Sequence, residues 1–395
     1  MPLVKRGRFL SGGLLLLCTF MVMFGIGNSG EPQAVPFIRQ SGVLPGEWYL
    51  QQSRDWEKTV GREPHNAAAW FNYFLATEYS FRQGLLPREQ QEQTLSELVG
   101  RMEKQVPDAF EYYLVRARFS HDEAALNRAH DLNPNHPEPY FEFLTKAQIG
   151  GDTAAFERHA KSLYRTREIP EGLLNYNYNV LMSLEPGAII FSNGDNDTYP
   201  VWVLQGAKGV RRDVLLLNIH LARFVPEYLT RQLARHGISV DKETLPGRED
   251  PAFLAHLCQL LQRQAPAAPL YLALTVEKSQ YEIFRKDLYL TGLAFRYSQN
   301  RYDNVSDLLN RFMPSARLDY LRYDWYSEEH IAREHILTPL KLNYIAPFVM
   351  ISEAFEARGD SQKAAFWQDF ALQLAQDGGI EGDLKSYIKE GAVRD

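Results

Sequence analysis

Three short apolar runs separated by helical stretches form the middle of this sequence, and they constrain its fold more than any other feature. The runs are Ala188 to Ser192, Asp213 to Ile219 and Leu270 to Val276, and a fourth, Leu288 to Phe295, follows them. The runs do not alternate between apolar and polar residues, which is typical of strands that are buried on both faces of a parallel sheet. The pattern predicts a small, mostly parallel sheet with Rossmann-like layering inside an α/β domain.

Helical sequence flanks this middle on both sides. Apolar residues three and four apart recur through the region that precedes it, where Ala125 to Tyr164 resembles a tetratricopeptide repeat. Tyr344 to Ala375 repeats the same plan near the C-terminus. We therefore expect a chain that is mainly α overall, with tetratricopeptide-like α-helical repeats on either side of the α/β domain. The predicted boundaries are 65–170 for the first helical region, 171–300 for the α/β domain and 301–395 for the C-terminal helical repeat region.

The N-terminal sequence is typical of a targeting segment. Three basic residues among the first eight precede an apolar run from Phe9 to Ile26, and this order directs the following chain out of the cytoplasm. Residues 1–30 are predicted to be a signal peptide or an N-terminal membrane anchor, and residues 31–64 a linker. The predicted location is the periplasm or the extracytoplasmic face of the inner membrane.

Composition excludes one class of partner. The formal net charge of -6 and the pI near 6.0 give no electrostatic reason to expect nucleic acid as a partner, because nucleic-acid binding normally requires a concentrated basic surface. The sequence also contains no Gly-rich phosphate loop, no zinc-spaced set of Cys and His, and no Gly-x-Ser-x-Gly elbow. No strong catalytic pattern is therefore available from which to assign an activity.

An acidic turn follows the first apolar run. Open α/β sheets bind their ligands beyond the carboxyl ends of the strands, where Asn218 and His220 follow the second run and Thr275 and Glu277 follow the third. We expect these side chains to converge with the turn on one crevice. The candidate ligand-binding residues are Asn193, Gly194, Asp195, Asn196, Asp197, Thr198, Asn218 and His220.

The turn allows three functional interpretations and one structural interpretation. Asp195 and Asp197 could hold a divalent cation, the turn could bind a hydroxylated or cationic ligand, or one Asp could act with His220 as an acid or base. An EF-hand is excluded because the sixth loop position is Thr198 rather than Gly. In the structural interpretation, Asn and Asp side chains form the turn, Thr198 caps the following helix, and Pro200 occupies its first turn.

Two other segments carry weaker expectations. Arg211-Arg212-Asp213, which precedes the second predicted strand, is expected to be a solvated turn. The segment from Asp319 to His330 is rich in Tyr and Trp and is predicted to be either a carbohydrate or protein contact surface or a set of packing aromatics. Cys258 lies in an apolar stretch and is expected to be a small core residue.

The sequence A-I-I-F-S-N-G-D-N-D-T-Y-P-V-W-V-L-Q, followed by G-V-R-R-D-V-L-L-L-N, closely resembles a signature of a family of membrane-embedded, protein O-mannosyltransferase-like proteins. That family is prominent in Bacteroidetes and has an animal relative. The G-L-A-F-R-Y sequence at Gly292 and the turn at Gly359 also resemble the family's soluble C-terminal region. The signature positions that match are Asn193, Gly194, Asp195, Asn196, Asp197, Thr198, Pro200, Trp202, Gln205, Gly209, Val210, Arg211, Asp213 and Asn218, with Tyr199 in the aromatic position.

The resemblance, which covers roughly 186–375, implies an extracytoplasmic domain related to the soluble part of a glycosyltransferase. The family's transferase chemistry is attributed to a multi-pass membrane half, whereas this sequence has at most one membrane segment. We therefore expect a non-catalytic extracytoplasmic interaction protein, either an accessory of envelope protein glycosylation or a protein that recognises a glycan or glycoprotein. The alternative is a metal-dependent, sugar-active enzyme that uses the turn at Asp195 and Asp197.

The expected cofactors and partners follow from this function. No cofactor is expected, although the acidic turn leaves a divalent cation open. The expected partner is an envelope protein or a glycan. The membrane is a further contact if the segment 1–30 is not cleaved.

Overall fold

The computed structural model of the protein describes residues 31–84, 87–322 and 334–392. The chain is mainly helical, contains one small mixed sheet of five strands, and divides into two compact units. The predicted targeting segment 1–30 and residues 323–330 of the aromatic-rich segment lie outside the described residues. Within the three described ranges, no helix combines the length and the apolar composition that a bilayer crossing requires.

The described residues of the first unit are 31–84, 87–145 and 165–168. Its first helices are α1 (Ile38–Ser41), α2 (Gly46–Arg62), α3 (Ala67–Ser80), α4 (Arg88–Gln105), α5 (Phe110–Ser120) and α6 (Glu123–Leu132). Helix α2 lies inside the predicted linker, and its Tyr49 and Val60 are buried in the same core as Trp70 and Phe74 of α3. The structure thus differs from the expected linker, because the apolar residues of α2 share one face and pack on α3.

The described residues of the second unit are 146–164, 169–322 and 334–392. The remaining helices of the chain are α7 (Glu138–Gly150), α8 (Thr153–Thr166), α9 (Glu171–Met182), α10 (Asp195–Lys208), α11 (Ile219–Phe224), α12 (Pro226–Arg235), α13 (Phe253–Gln264), α14 (Lys278–Tyr281), α15 (Asn304–Asp307), α16 (Met313–Ser315), α17 (Glu334–Leu342), α18 (Ile345–Glu356), α19 (Ser361–Asp377) and α20 (Glu381–Ala392). The predicted division at residue 300 lies inside this unit.

The sheet of the second unit has the spatial order β2-β1-β3-β5-β4. Its strands are β1 (Ile189–Ser192), β2 (Leu215–Asn218), β3 (Leu270–Ala273), β4 (Leu288–Leu290) and β5 (Ala294–Tyr297). Strand β1 pairs in parallel with β2 and β3, with Ile190 opposite both Leu216 and Tyr271. Every residue of β1, β2 and β3 is buried, in agreement with the uninterrupted apolar runs.

The sheet is mixed rather than mostly parallel. The fourth apolar run forms two short strands, and β5 pairs antiparallel with both β3 and β4. A parallel pair needs a crossover of roughly a dozen residues, and the connection between β4 and β5 is too short for one. Gly292 makes the tight connection with a φ of 115°, and a Cβ there would lie 2.8 Å from Ser183 Cβ and 2.9 Å from Phe312 Cδ2. The hairpin therefore requires Gly at this position.

The C-terminal helices pack on helix α9 within the same unit. Helices α18 and α19 form a hairpin around Gly359, whose φ is 77°, and Phe348 contacts Phe370 across it with ring centroids 4.8 Å apart. Tyr344, just before α18, is fully buried. Its hydroxyl accepts a hydrogen bond of 2.7 Å from Asn179 Nδ2 of α9 and lies 2.9 Å from the hydroxyl of Tyr320. A polar contact therefore fixes the aromatic core against α9.

Arg211 joins the end of helix α9 to the sheet. Its guanidinium donates hydrogen bonds to the carbonyls of Leu181 at 2.6 Å, Leu184 at 3.0 Å and Glu185 at 2.9 Å. The last carbonyls of a helix have no partner within the helix, and an arginine fork can satisfy several at once. Arg211 also pairs with Asp213 at 2.9 Å. Residues 211–213 form the predicted turn, and Arg212 and Asp213 are exposed, but Arg211 is only 16% exposed and caps the end of α9.

We predict that Arg211→Ala lowers the free energy of unfolding by about 2 kcal/mol, because the carbonyls of Leu184 and Glu185, just after α9, lose the donors that Arg211 supplies. Arg212→Ala is the matched control, since Arg212 is 54% exposed and forms an ion pair with Glu157, a contact of less than about 1 kcal/mol. Urea unfolding of both variants measures the difference. Equal losses in the two variants would contradict the capping role.

Asp213 gives this cap a pH dependence. The hydrogen bonds from Arg211 and from the Gly187 N–H lower the pKa of Asp213 from 3.8 to about 2, against an opposing effect of partial burial. Because the pKa is depressed in the folded state, the stabilisation is fully present above about pH 4 and is lost as the pH falls towards about 2. We predict that the wild type is more stable than Asp213→Asn at neutral pH and that the difference shrinks across this window. Urea unfolding at a series of pH values measures it, and a constant difference would refute the prediction.

Candidate functional site

The acidic turn is the beginning of helix α10. The helix starts at Asp195, directly after Gly194, and so begins before Thr198, the residue expected to cap it. Asp197 is the third helical residue, and its carboxylate accepts hydrogen bonds of 2.7 Å from the N–H groups of Asn193 and Gly194. These N–H groups precede the helix and would otherwise lack acceptors in a partly buried position. The side chain that caps the helix is thus Asp197 rather than the expected Thr198.

Asp197 also connects the turn to strand β3. The hydroxyl of Thr275, two residues beyond β3, donates to the same carboxylate oxygen that accepts from Asn193. Asp197 is only 5% exposed. Burial raises the pKa of its carboxyl above the ordinary value, while the hydrogen bonds from Asn193, Thr275 and Gly194 act in the opposite direction. The carboxylate therefore has three donors from the protein and little contact with solvent.

Thr198 and Asn218 connect the turn to strand β2. The hydroxyl of Thr198 lies 2.8 Å from the hydroxyl of Ser192 at the end of β1 and accepts a hydrogen bond of 3.0 Å from Asn218 Nδ2. Asn218 Oδ1 in turn accepts from the N–H groups of His220 and Leu221 and caps helix α11. Ser192, Asp197, Thr198, Asn218 and Thr275 together form what we call the strand-end network.

The network brings together some of the predicted site residues and leaves others outside it. Asn193, Gly194, Asp197, Thr198 and Asn218 are joined by the hydrogen bonds described above. Asn196 follows them in the first turn of α10 and contributes its backbone carbonyl to a neighbouring contact. The side chains that are exposed and take no part in the network are those of Asp195, His220 and Glu277.

A shared metal site at Asp195 and Asp197 does not fit this arrangement. The two residues are two positions apart on a helix, and side chains at that spacing do not face each other. Both oxygens of Asp197 already accept hydrogen bonds from the protein. In the described parts of the chain, no group of three or more His, Cys, Asp or Glu side chains has the geometry of a metal site.

Asn177 of α9 supports the same helix from the other side and was not anticipated from the sequence. Pro200 lies inside α10, and because proline has no N–H it cannot donate to the carbonyl of Asn196 four residues earlier. Asn177 Nδ2 donates to that carbonyl instead, at 3.0 Å, and to the carbonyl of Leu173 at 2.9 Å. A proline within the predicted helix was the signal that some side chain must replace the missing donor.

A second polar cluster, also unanticipated, lies beside strands β3 and β5. Oε2 of Glu185 accepts hydrogen bonds from Arg296 Nε at 2.8 Å and from the Tyr271 hydroxyl at 2.9 Å, and the oxygen of Tyr302, whose hydroxyl donates to Asp307, lies 3.3 Å away. Burial raises the pKa of Glu185, but the hydrogen bonds from Arg296 and Tyr271 outweigh it, so the pKa lies below its ordinary value. The cluster ties the segment before β1 to the far strands of the sheet.

One comparison with known proteins matches the region of the strand-end network. Residues 174–239 match a family model described as TMEM260-associated domain 2. The matched segment begins within α9, ends just after α12, and contains every residue of the network except Thr275. Among curated proteins, no match to this chain was found.

We predict that Asp197→Asn lowers the free energy of unfolding by about 2 kcal/mol, because the amide turns an N–H₂ group towards a backbone N–H and leaves that donor unsatisfied. Asp195→Asn is the matched control, since it removes the same charge from the same helix turn at an exposed position and should cost less than about 1 kcal/mol. Chemical denaturation measures both. A larger loss for Asp195→Asn would contradict the assignment of the cap.

Proposed function

We propose that this chain is a non-catalytic extracytoplasmic interaction protein that serves as an accessory of envelope protein glycosylation or recognises a glycan or glycoprotein. The match of residues 174–239 to TMEM260-associated domain 2 supports this proposal, because TMEM260 is an O-mannosyltransferase-like protein. The longer resemblance to the soluble C-terminal region of that family in Bacteroidetes points in the same direction. The chain would act in the periplasm or at the outer face of the inner membrane, where residues 1–30 would anchor it if they are not cleaved.

The single observation that carries the non-catalytic part of the proposal is the state of Asp197. A carboxylate that acts as a general acid, a base or a metal ligand must reach the substrate or the ion. Asp197 is 5% exposed, and its two oxygens accept hydrogen bonds from Asn193 and Gly194. Its use as a helix cap accounts for the presence of an Asp at this position without any chemistry.

The helices that flank the matched segment would supply the interaction surface. In our proposal the helices before residue 170 and those after residue 300 are tetratricopeptide-like repeats, in which paired helices present surfaces to a protein partner. The hairpin of α18 and α19, closed at Gly359, supports this interpretation for the C-terminal region. The matched segment would then act as the rigid part that holds its binding residues in position.

We predict that the purified chain binds an O-mannosylated envelope peptide without turning it over. Isothermal titration of the mannosylated peptide and of the same peptide without the sugar measures binding, and mass spectrometry of the mixture measures any transfer or loss of mannose. Binding of at least the mannosylated peptide with no change in its mass supports the proposal. Failure to bind either peptide, or a change in mass, would count against it.

Titration with Mg²⁺, Mn²⁺ and Ca²⁺ separates this proposal from the metal-dependent, sugar-active enzyme. We expect no metal-dependent heat in the wild type. Heat that disappears in Asp195→Ala/Asp197→Ala but persists in Asp377→Ala, which removes an exposed carboxylate on α19, would favour the enzyme instead.

A further inference from the structure

A cavity of about 230 Å³ lies in the second unit. Its lining residues come from α7, α8, α10, α12, β2 and the turn before β2, and none of the residues of the strand-end network lines it. Phe156 and Trp202 are its aromatic lining residues, and Glu157, Arg212, Arg235 and His236 are its titratable ones. The cavity therefore combines apolar and charged walls, as small-molecule sites do.

The close approach of helices α8 and α10 forms one wall of this cavity. Gly206 of α10 faces Ala160 and Phe156 of α8, and a Cβ at Gly206 would lie only 2.6 Å from Ala160 Cβ. Because no side chain separates the two helices there, the contact is rigid. The lining residues Phe156 and Gly206 are thus held in place by packing that does not depend on a ligand.

Trp202 supplies an indole N–H donor at the cavity. Its side chain is among the largest that are fully buried, with 2% of the residue exposed, and its indole Nε1 has no hydrogen-bond partner in the described part of the chain. An indole N–H can only donate. A ligand that occupies the cavity would therefore gain from presenting an acceptor atom to Trp202.

Two arginines give the cavity a positive charge. Arg212 bonds to Glu157 at 3.0 Å and to the carbonyl of Gln205 at 3.1 Å, and Arg235 bonds to Thr153 at 3.0 Å and to Gln232 at 3.4 Å. Each guanidinium has five N–H donors, so both retain donors for a further acceptor.

Glu157 is the only carboxylate among the lining residues, so the lining carries one negative charge and two positive guanidinium charges. Burial and the neighbouring Arg235 lower the pKa of His236, so its imidazole is neutral near pH 7. The lining thus keeps an excess positive charge, which favours an anionic group. Carboxylates suit arginine especially well because the planar guanidinium can donate two parallel hydrogen bonds to them.

We propose that this cavity binds a small organic carboxylate, with the carboxylate between Arg212 and Arg235 and the body of the ligand against Phe156 and Trp202. A hydroxyl or ring oxygen on that body would accept the Trp202 N–H. The volume corresponds to roughly eight water molecules at about 30 Å³ each, so the ligand is a compact acid rather than a nucleotide or an oligosaccharide. This proposal does not rest on recognition of a glycoprotein.

Isothermal titration of the full chain with two carboxylate probes and their neutral counterparts tests the proposal. The probes are glucuronate with glucose, and benzoate with benzyl alcohol; inorganic phosphate is the bare-anion control. We expect at least one carboxylate to bind and its neutral counterpart and phosphate to bind at least about tenfold more weakly. The proposal is overturned if neither carboxylate binds, if the neutral counterpart binds equally well, or if phosphate binds as tightly as the carboxylate.

Variants locate the site. Arg235→Gln removes an exposed guanidinium and should weaken binding of the carboxylate probe by about tenfold or more, while Trp202→Phe should weaken glucuronate more than benzoate, which has no hydroxyl for the indole. Arg263→Gln is the matched control, since Arg263 is an exposed arginine of α13 outside the lining. Equal weakening by Arg263→Gln, or unchanged binding in Arg235→Gln, would refute the assignment. Because Arg235 is exposed, we expect the Arg235→Gln variant to fold. A change in its binding therefore reports on the site rather than on folding.

Discussion

The hydrogen bonds that converge on the Asp197 carboxylate hold the rest of the second unit in register. Two backbone N–H groups at the end of β1 and the hydroxyl of Thr275 beyond β3 all donate to it. In a buried position each of these donors would cost about 1 to 3 kcal/mol if left unsatisfied. One side chain therefore sets where α10 begins and how the carboxyl ends of two strands lie beside each other, and Thr198 extends the connection to β2 through Asn218.

The same contacts limit what this edge of the sheet can do chemically. Ligand sites in open α/β sheets usually occupy the crevice beyond the strand ends, but here the protein's own side chains fill the hydrogen-bonding positions of Asp197. The two arginines, the aromatic walls and the indole of Trp202 lie instead at the cavity lined by α8, α10, α12 and β2. The cap at Asp197 also makes one wall of the cavity rigid, because Trp202, which lines the cavity, lies in α10, the helix that Asp197 caps.

The sequence predicted the strands well and the local chemistry only in part. Uninterrupted apolar runs identified β1, β2 and β3, and their order predicted that Asn218 and Thr275 would approach the turn. The sequence placed the start of α10 too late, because Pro200 is typical of a first helical turn. Nothing in the neighbouring sequence indicated that the side chain of Asn177 would supply the donor that proline lacks. Arg211 was assigned to a solvated turn because its acceptors, the carbonyls of Leu181 and Leu184, are distant in sequence and become neighbours only in the fold.

The central claim is that the Asp197 carboxylate serves as a cap and holds no cation. Amide hydrogen exchange at Asn193 and Gly194, followed by NMR with and without Mg²⁺ and Ca²⁺, tests it most directly, because these N–H groups report on the carboxylate oxygens themselves. We predict slow exchange at both amides that is unchanged by either cation. Rapid exchange in the cation-free protein, or a change of about tenfold or more on adding a cation, would contradict the account.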